Sequence, residues 1–266
     1  MDSSYLREGD VAMMVRLLEE SRRDEPGSAM PWALLEGLAR LVPCDRVSYQ
    51  DHDLVARRSF IQDLLDAGVH RGPRQEVYED DEPFWDLFWR SSCSWPQRTG
   101  DLRTVTHLGD FFPTDRERLA NPMREAHQDV QQEMMLSLQA APGHARRILF
   151  LRADNRSFTE RDRQVLQLLQ PHVEDVWLQA ERRRNGVPRL TNREWEVLTL
   201  VASGMSHAEV AKVLYLSPGT VRKHMEHIRE RLGVHSAAAA AARALPHTPA
   251  RSFIENPSDN SRGPSA

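Results

Sequence analysis

The sequence of 266 residues has only two cysteines, Cys44 and Cys93, and neither sits in a CxxC or CxxH spacing. That excludes a zinc site or redox pair built on thiolates, and both side chains are expected as buried thiols. The chain has no run of 18 apolar residues and no charged-then-apolar start. A membrane span and an export signal are therefore not expected, and a cytoplasmic location is. GxSxG, HExxH, P-loop and GxGxxG patterns are all missing, so the common hydrolytic and nucleotide-binding chemistries have no local signature. No catalytic residue, metal ligand or cofactor is assigned, and the chain is not expected to be an enzyme. Asp51-His52-Asp53 does not change this, because neighbours on a strand point to opposite faces.

What is present is divided unevenly along the chain. The formal net charge is −4. Residues 1–185 carry 25 Lys or Arg against 32 Asp or Glu, net −7, and residues 186–245 carry eight against five, net +3, with four histidines. The later segment is thus the one suited to approach a polyanion. Between the two lies Glu181-Arg182-Arg183-Arg184-Asn185-Gly186-Val187-Pro188-Arg189, where periodicity stops and charge, Gly and Pro accumulate. The chain divides accordingly into an amino-terminal domain (1–181), a basic linker (182–189), a carboxy-terminal domain (190–245) and a Pro-, Ser- and Asn-rich tail (246–266) expected to be disordered.

The amino-terminal domain reads as mixed helix and strand. Apolar stripes predict helices over 10–22 and from Pro31 to Pro43. Residues 46–51 and 147–153 read as strands, 53–81 admits no more than one strand near 76–79, and 105–112 is a strand or extended loop. Residues 115–138 read as helical segments broken at Asn121-Pro122. Thr159 with Asp162 opens a long helix that Pro171 is expected to kink. After the helix start at Asp80-Asp81-Glu82-Pro83, the residues Phe84, Trp85, Phe88, Trp89 and Trp95 crowd together. With Tyr49 they form a candidate ligand pocket or, alternatively, a core.

The carboxy-terminal domain repeats one format. Thr191…Glu194 and Ser206…Glu209 are capping boxes, Ser217-Pro218 caps a third helix with proline in its first position, and Ser236 caps a fourth. Gly204 and Gly233 follow the first and third helices, where left-handed residues close helices. Tyr215, Leu216 and Ser217 join the middle pair at helix-turn-helix spacing. In the third helix Val221, Met225, Ile228 and Leu232 fall on one face, and Gly219, Lys223, Glu226 and Glu230, flanked by Arg222 and His227, fall on the other.

Leu190-Thr191-x-Arg193-Glu194-x-Glu196-Val197-Leu198, Gly204-Met205-Ser206, Glu209-Val210-Ala211, Leu216-Ser217, Thr220-Val221-Arg222-x-His224, Ile228 and Leu232-Gly233-Val234 resemble the LuxR family of bacterial regulators. The strand, polar turn and Phe158-Thr159-Glu160-Arg161-Asp162 opening the exit helix resemble the GAF family, over about residues 28–180. The resemblances imply an α/β (GAF-like) sensory domain joined to an all-α four-helix LuxR-type helix-turn-helix domain. They imply a transcriptional regulator binding double-stranded DNA as a homodimer on a pseudo-palindromic operator, with a small-molecule ligand and RNA polymerase as possible further partners. Ser217, Thr220, Arg222, Lys223, Glu226 and His227 are the DNA-facing candidates. Glu226 repels phosphate but can accept from a cytosine amino group. His207 stands where the family commonly has Asn, and Ala237 where Arg is frequent, which puts the usual contact of the fourth helix in doubt. Two other readings fit the same residues: a constitutive DNA-binding dimer without a ligand, and an enzyme domain fused to a DNA-binding one.

Overall fold

The computed structural model describes residues 6–23, 29–65, 68–76, 82–121, 123, 130–184, 186–188 and 190–245. The tail from 246 lies outside the described residues, as do 77–81. The chain separates into two compact units, Met1–Ala180 and Glu181–Ala266.

In the first unit, α1 (Glu8–Arg23) and α2 (Trp32–Leu41) precede β1 (Arg46–Asp53), β2 (Arg58–Leu65) and β3 (Val69–Glu76). Then come α3 (Glu82–Phe88), α4 (Trp95–Thr99), β4 (Thr106–His107), α5 (Leu108–Phe111), α6 (Asp115–Leu119), β5 (Gln132–Leu138), β6 (His144–Arg152) and α7 (Glu160–Arg184), whose last four residues fall in the second unit. The strands form one sheet in the order β3-β2-β1-β6-β5-β4, antiparallel at every pairing. This is the mixed α and β architecture that the GAF resemblance implied.

The sheet's alternation separates two faces. Tyr49 pairs with Gln62 and Ile148, and Val47 with Leu64 and Phe150, so these side chains share a face with Met134, Leu136 and Leu138. Met14 and Leu17 of α1, Leu34, Leu35 and Leu38 of α2, and Val165, Leu169, Val173 and Val176 of α7 cover that face and complete the main core. Ser48, Gln50, His52 and Arg147 point the other way, beneath Phe84, Trp85 and Phe88 of α3. Asp51 and His52 do diverge: Asp51 takes Arg146 at 2.7 Å and His144 at 3.2 Å, while His52 lies under the aromatics.

Three segments differ from their sequence reading. Residues 53–81 hold two strands, β2 and β3, and not at most one near 76–79. Their pattern is obscured because a core position is polar: Gln62 is fully buried, with its amide accepting from Met30 N at 3.0 Å and donating to Met30 O at 2.6 Å. The pairing of β3 also shifts register between Ile61 and Asp63, opposite Gly72-Pro73, as suits an edge strand. Residues 132–138, read as helical, are β5; strand pairing on both sides overrides the helix preference of Met and Leu. In 105–112 only two residues are strand, followed by α5. As expected, Thr159 and Asp162 cap α7 reciprocally, at 3.0 and 3.2 Å. That helix carries Pro171 inside it and continues to Arg184, beyond the expected end of its periodicity.

The second unit contains α8 (Asn192–Ala202), α9 (His207–Val213), α10 (Pro218–Leu232) and α11 (Ala237–Ala244). Its core joins Val187, Leu190, Trp195, Val197 and Leu198 to Val210, Ala211, Leu214, Val221, Met225, Ile228, Leu232, Ala240 and Ala244. Within residues 182–189, Val187 is buried in this core, and the Arg182 guanidinium lies 3.8 Å from the Trp195 ring.

Candidate nucleic-acid interface

The local chemistry of the second unit places every helix end. At α8, Thr191 Oγ1 accepts from Glu194 N at 3.2 Å and Glu194 Oε2 accepts from Thr191 N at 2.7 Å. At α9 the same exchange joins Ser206 and Glu209, at 3.3 and 2.8 Å. The hydrogen bonds from the Ser206 hydroxyl and amide hold the Glu209 carboxyl below its ordinary value. At α10 Ser217 Oγ accepts from Thr220 N at 3.0 Å and lies 2.8 Å from Thr220 Oγ1. Ser236 Oγ accepts from Ala239 N at 3.0 Å to start α11.

The closures of α8, α9 and α10 share one motif. A left-handed residue stands at or just after the C-cap, and the next amide donates to the carbonyl five residues back: Met205 to Leu200 at 3.2 Å, Leu216 to Ala211 at 2.8 Å, Val234 to Arg229 at 3.0 Å. Gly204 and Gly233 supply two of the left-handed residues. At the turn of the helix-turn-helix the residue is Tyr215, with φ 53°, and its side chain is 95% exposed. The usual signal for such a closure is glycine, so this one is not readable from composition.

These contacts hold α10 with one face inward. Val221, Met225, Ile228 and Leu232 are buried. Arg222, Lys223, Glu226, His227 and Glu230 are exposed, and the side chains of the first four have no hydrogen-bond or ion-pair partner among the described residues. Ser217 and Thr220 stand at the amino end of the same helix, Ser217 exposed and Thr220 half-buried. The six sequence-assigned residues therefore share the first turns of α10 and one outer side. Sequence reasoning missed the residues that hold α10 in place. Arg231 donates to Glu194 Oε2 at 2.9 Å, Arg193 donates to the Leu214 carbonyl in the turn, and Arg243 donates to the Leu232 carbonyl at 2.8 Å.

Residues 188–244 match the family model for bacterial regulatory proteins of the luxR family. This segment is a luxR-family helix-turn-helix domain. The chain is 45% identical over 58 residues to the "Probable transcriptional regulatory protein NarL" of Mycobacterium tuberculosis, covering 22% of this chain and 27% of that one. It is 33% identical over 73 residues to the "Nitrate/nitrite response regulator protein homolog" of Haemophilus influenzae, covering 27% and 35%. The chain thus spans between a quarter and about a third of the length of these curated relatives. A solved structure, "SdiA in complex with octanoyl-rac-glycerol", is similar at 18% identity and a TM-score of 0.42, covering 91% of this chain and 96% of that one. The match to the luxR-family model is confined to the second unit.

In the first unit the six candidate ligand residues do not converge. Tyr49 is buried on the face covered by α2 and α7, across the sheet from the others. Phe84, Trp85 and Phe88 pack with Cys93, Met123 and Ala145. Trp89 is 51% exposed, and Trp95 packs edge-on against Phe111, 6.3 Å between centroids. Beneath the aromatics, the buried Arg147 donates to Gln50 Oε1 at 2.9 Å, to the Cys93 carbonyl at 3.3 Å and to His52 Nε2 at 2.8 Å. His52 Nε2 also lies 3.1 Å from Gln50 Oε1, and its Nδ1 lies 2.6 Å from Ser59 Oγ. The Trp85 indole N–H is buried without a hydrogen-bond partner among the described residues. Burial pushes the Cys93 thiol up, and pushes Cys44 up to about 12, so neither is a ready nucleophile. Among the described residues no helix is long and apolar enough to cross a membrane, and no cluster of three or more His, Cys, Asp or Glu is placed to hold a metal.

Proposed function

We propose that this protein is a DNA-binding transcriptional regulator that places α10 in the major groove of a pseudo-palindromic operator and binds it as a homodimer. The observation that carries the reading is the exposed, unpartnered set Arg222, Lys223, Glu226 and His227 on a helix whose opposite face is buried. A helix clamped by its inner face and capped at Ser217 offers base edges its side chains and phosphate its amino end. Arg222 and Lys223 supply donors for guanine, Glu226 an acceptor for cytosine, and Thr220 with Ser217 hydroxyls for the backbone. The outer face balances two cations against Glu226 and Glu230, so selectivity outweighs bulk attraction.

Two such helices in a dimer reach successive major grooves when about 34 Å apart. The amino-terminal domain acts as the sensor, and a ligand acts by changing how two copies of α7 pair, with RNA polymerase the downstream partner. An orphaned indole donor at Trp85 is what a ligand acceptor would satisfy. The test is footprinting of the full chain on its neighbouring promoters, followed by titration of Lys223→Ala on the protected site. Loss of roughly 1 to 3 kcal/mol of specific affinity is expected. Equal operator affinity for the variant and the parent would sink the assignment of α10.

A further inference from the structure

A cavity of about 210 Å³ opens on the sheet face that carries α3, beside the aromatic cluster. Its floor is the start of β5, with Gln131 and Glu133 and the adjoining Val130; its walls include Ser92, Cys93, Leu108, Leu119, Asn121 and Met123. None of the six aromatic candidates lines it. Smaller than the roughly 300–1,000 Å³ of drug-sized ligand pockets, it suits a molecule of only a few heavy atoms.

Three features define what it would hold. Glu133 is half-buried, and its side chain has no hydrogen-bond or ion-pair partner among the described residues. Its charge adds to burial in raising the Cys93 thiol, which lines the same cavity. A half-buried carboxylate at a cavity wall is stabilised by a cation that arrives with the occupant. The neutral wall groups Gln131, Asn121 and Ser92 can accept or donate hydrogen bonds, and Asn121 already accepts from Met123 N at 3.0 Å. Leu108, Leu119, Met123 and Val130 supply apolar surface for a short hydrocarbon body. Arg118 lies on the same wall and already has an interaction partner.

We infer that this cavity binds a small ammonium-bearing molecule with a short apolar body, its ammonium donating to Glu133 and its hydrocarbon lying against Leu108, Leu119 and Val130. Both a free amine and an amino acid carry that chemistry, and they are separated by testing each. The regulatory consequence of binding rests on the sensor reading above; binding itself does not.

The experiment is calorimetric titration of the full chain with isoamylamine, phenethylamine and leucine, beside isoamyl alcohol and isovalerate as isosteres without the ammonium. Saturable binding of an ammonium compound is expected, at least about tenfold weaker for the alcohol and for Glu133→Gln. Val130→Trp, which fills the cavity while keeping Glu133, is expected to abolish binding, with an unchanged melting profile reporting that the fold is intact. Binding of leucine but not of the amines identifies an amino acid as the source and supports the site. Equal binding of amine and alcohol, unaltered binding by Glu133→Gln, or no binding of any ammonium compound at millimolar concentration overturns it. Binding that leaves operator affinity unchanged keeps the cavity assignment and removes only the sensor reading.

Discussion

Glu194 is the residue through which α10 is braced, and its removal has a calculable effect. Its Oε2 accepts from Thr191 N at 2.7 Å, Thr191 Oγ1 at 2.9 Å and Arg231 Nη1 at 2.9 Å, and the residue is 3% exposed. Glu194→Ala removes the carboxylate half of the α8 capping box and leaves the bond from the residue-194 amide to Thr191 Oγ1, a loss of about 1 kcal/mol. It also releases Arg231, whose side chain is 46% exposed. Water can re-solvate that guanidinium, so the ion pair adds no more than about 1 kcal/mol. The sum, about 2 kcal/mol, corresponds to a fall of roughly 8 to 16 °C in a domain of about 60 residues. Hydrogen exchange on the full chain should show faster exchange across α8 and the end of α10, with β1 and β6 unaltered. Thr191→Ala should cost about half as much, because Glu194 keeps Arg231. Operator affinity measured well below the melting range should be nearly unchanged, since the outer face of α10 is untouched. Melting within 2 °C of the parent, or unchanged exchange in α8, would refute the bracing role.

Acid stability should depend on Asp10. Hydrogen bonds from Arg161 hold its carboxyl below the ordinary aspartate range against the opposing effect of burial. This depressed value contributes stability that is present above the unfolded pKa, about 3.9, and is lost as pH falls through the folded one. Thermal melts from pH 5 down to 2 should therefore be steeper for the parent than for Asp10→Asn; identical slopes would contradict the assignment. Tyr215→Gly relieves a left-handed backbone worth about 1 to 2 kcal/mol and adds about 0.5 to 1 kcal/mol of unfolded-state entropy. Denaturant titration should show a net gain between zero and about 1.5 kcal/mol, and a clear loss would mean that the exposed ring makes an unrecognised contact. Glu226→Gln should raise affinity for nonspecific DNA while weakening discrimination at one base pair by about 1 to 3 kcal/mol. Competition with base-substituted operators reads both effects, and unaltered discrimination everywhere would remove Glu226 from base contact.

The helices of the second unit were legible because their signals are local. Thr191, Ser206, Ser217 and Ser236 cap the helices that they were expected to cap, and Gly204 and Gly233 close theirs. The outer face of α10 followed from the positions of Val221, Met225, Ile228 and Leu232 alone. The first unit was legible only where a segment carries its own period, as in α1, α2, β1, β6 and the start of α7. Gln62 hid β2 because its polarity is satisfied by Met30, a partner distant in sequence. Met134, Met135 and Leu136 hid β5 because residues of high helix preference there answer to β4 and β6. Aromatic density around Phe84 to Trp95 pointed at a pocket, yet the aromatics fill space and the cavity lies beside them.

The sequence by itself determined that this chain carries a four-helix luxR-family domain in which α10 has a mixed-charge outer face, because caps, closures and a 3.6-residue period need only neighbours a few residues away. Only the tertiary structure decided which way each strand's side chains point, that Tyr49 and Trp85 lie on opposite faces of the sheet, and that Glu133 lies half-buried at a cavity wall. Those outcomes depend on pairing register and on partners tens of residues distant, and no local pattern encodes them.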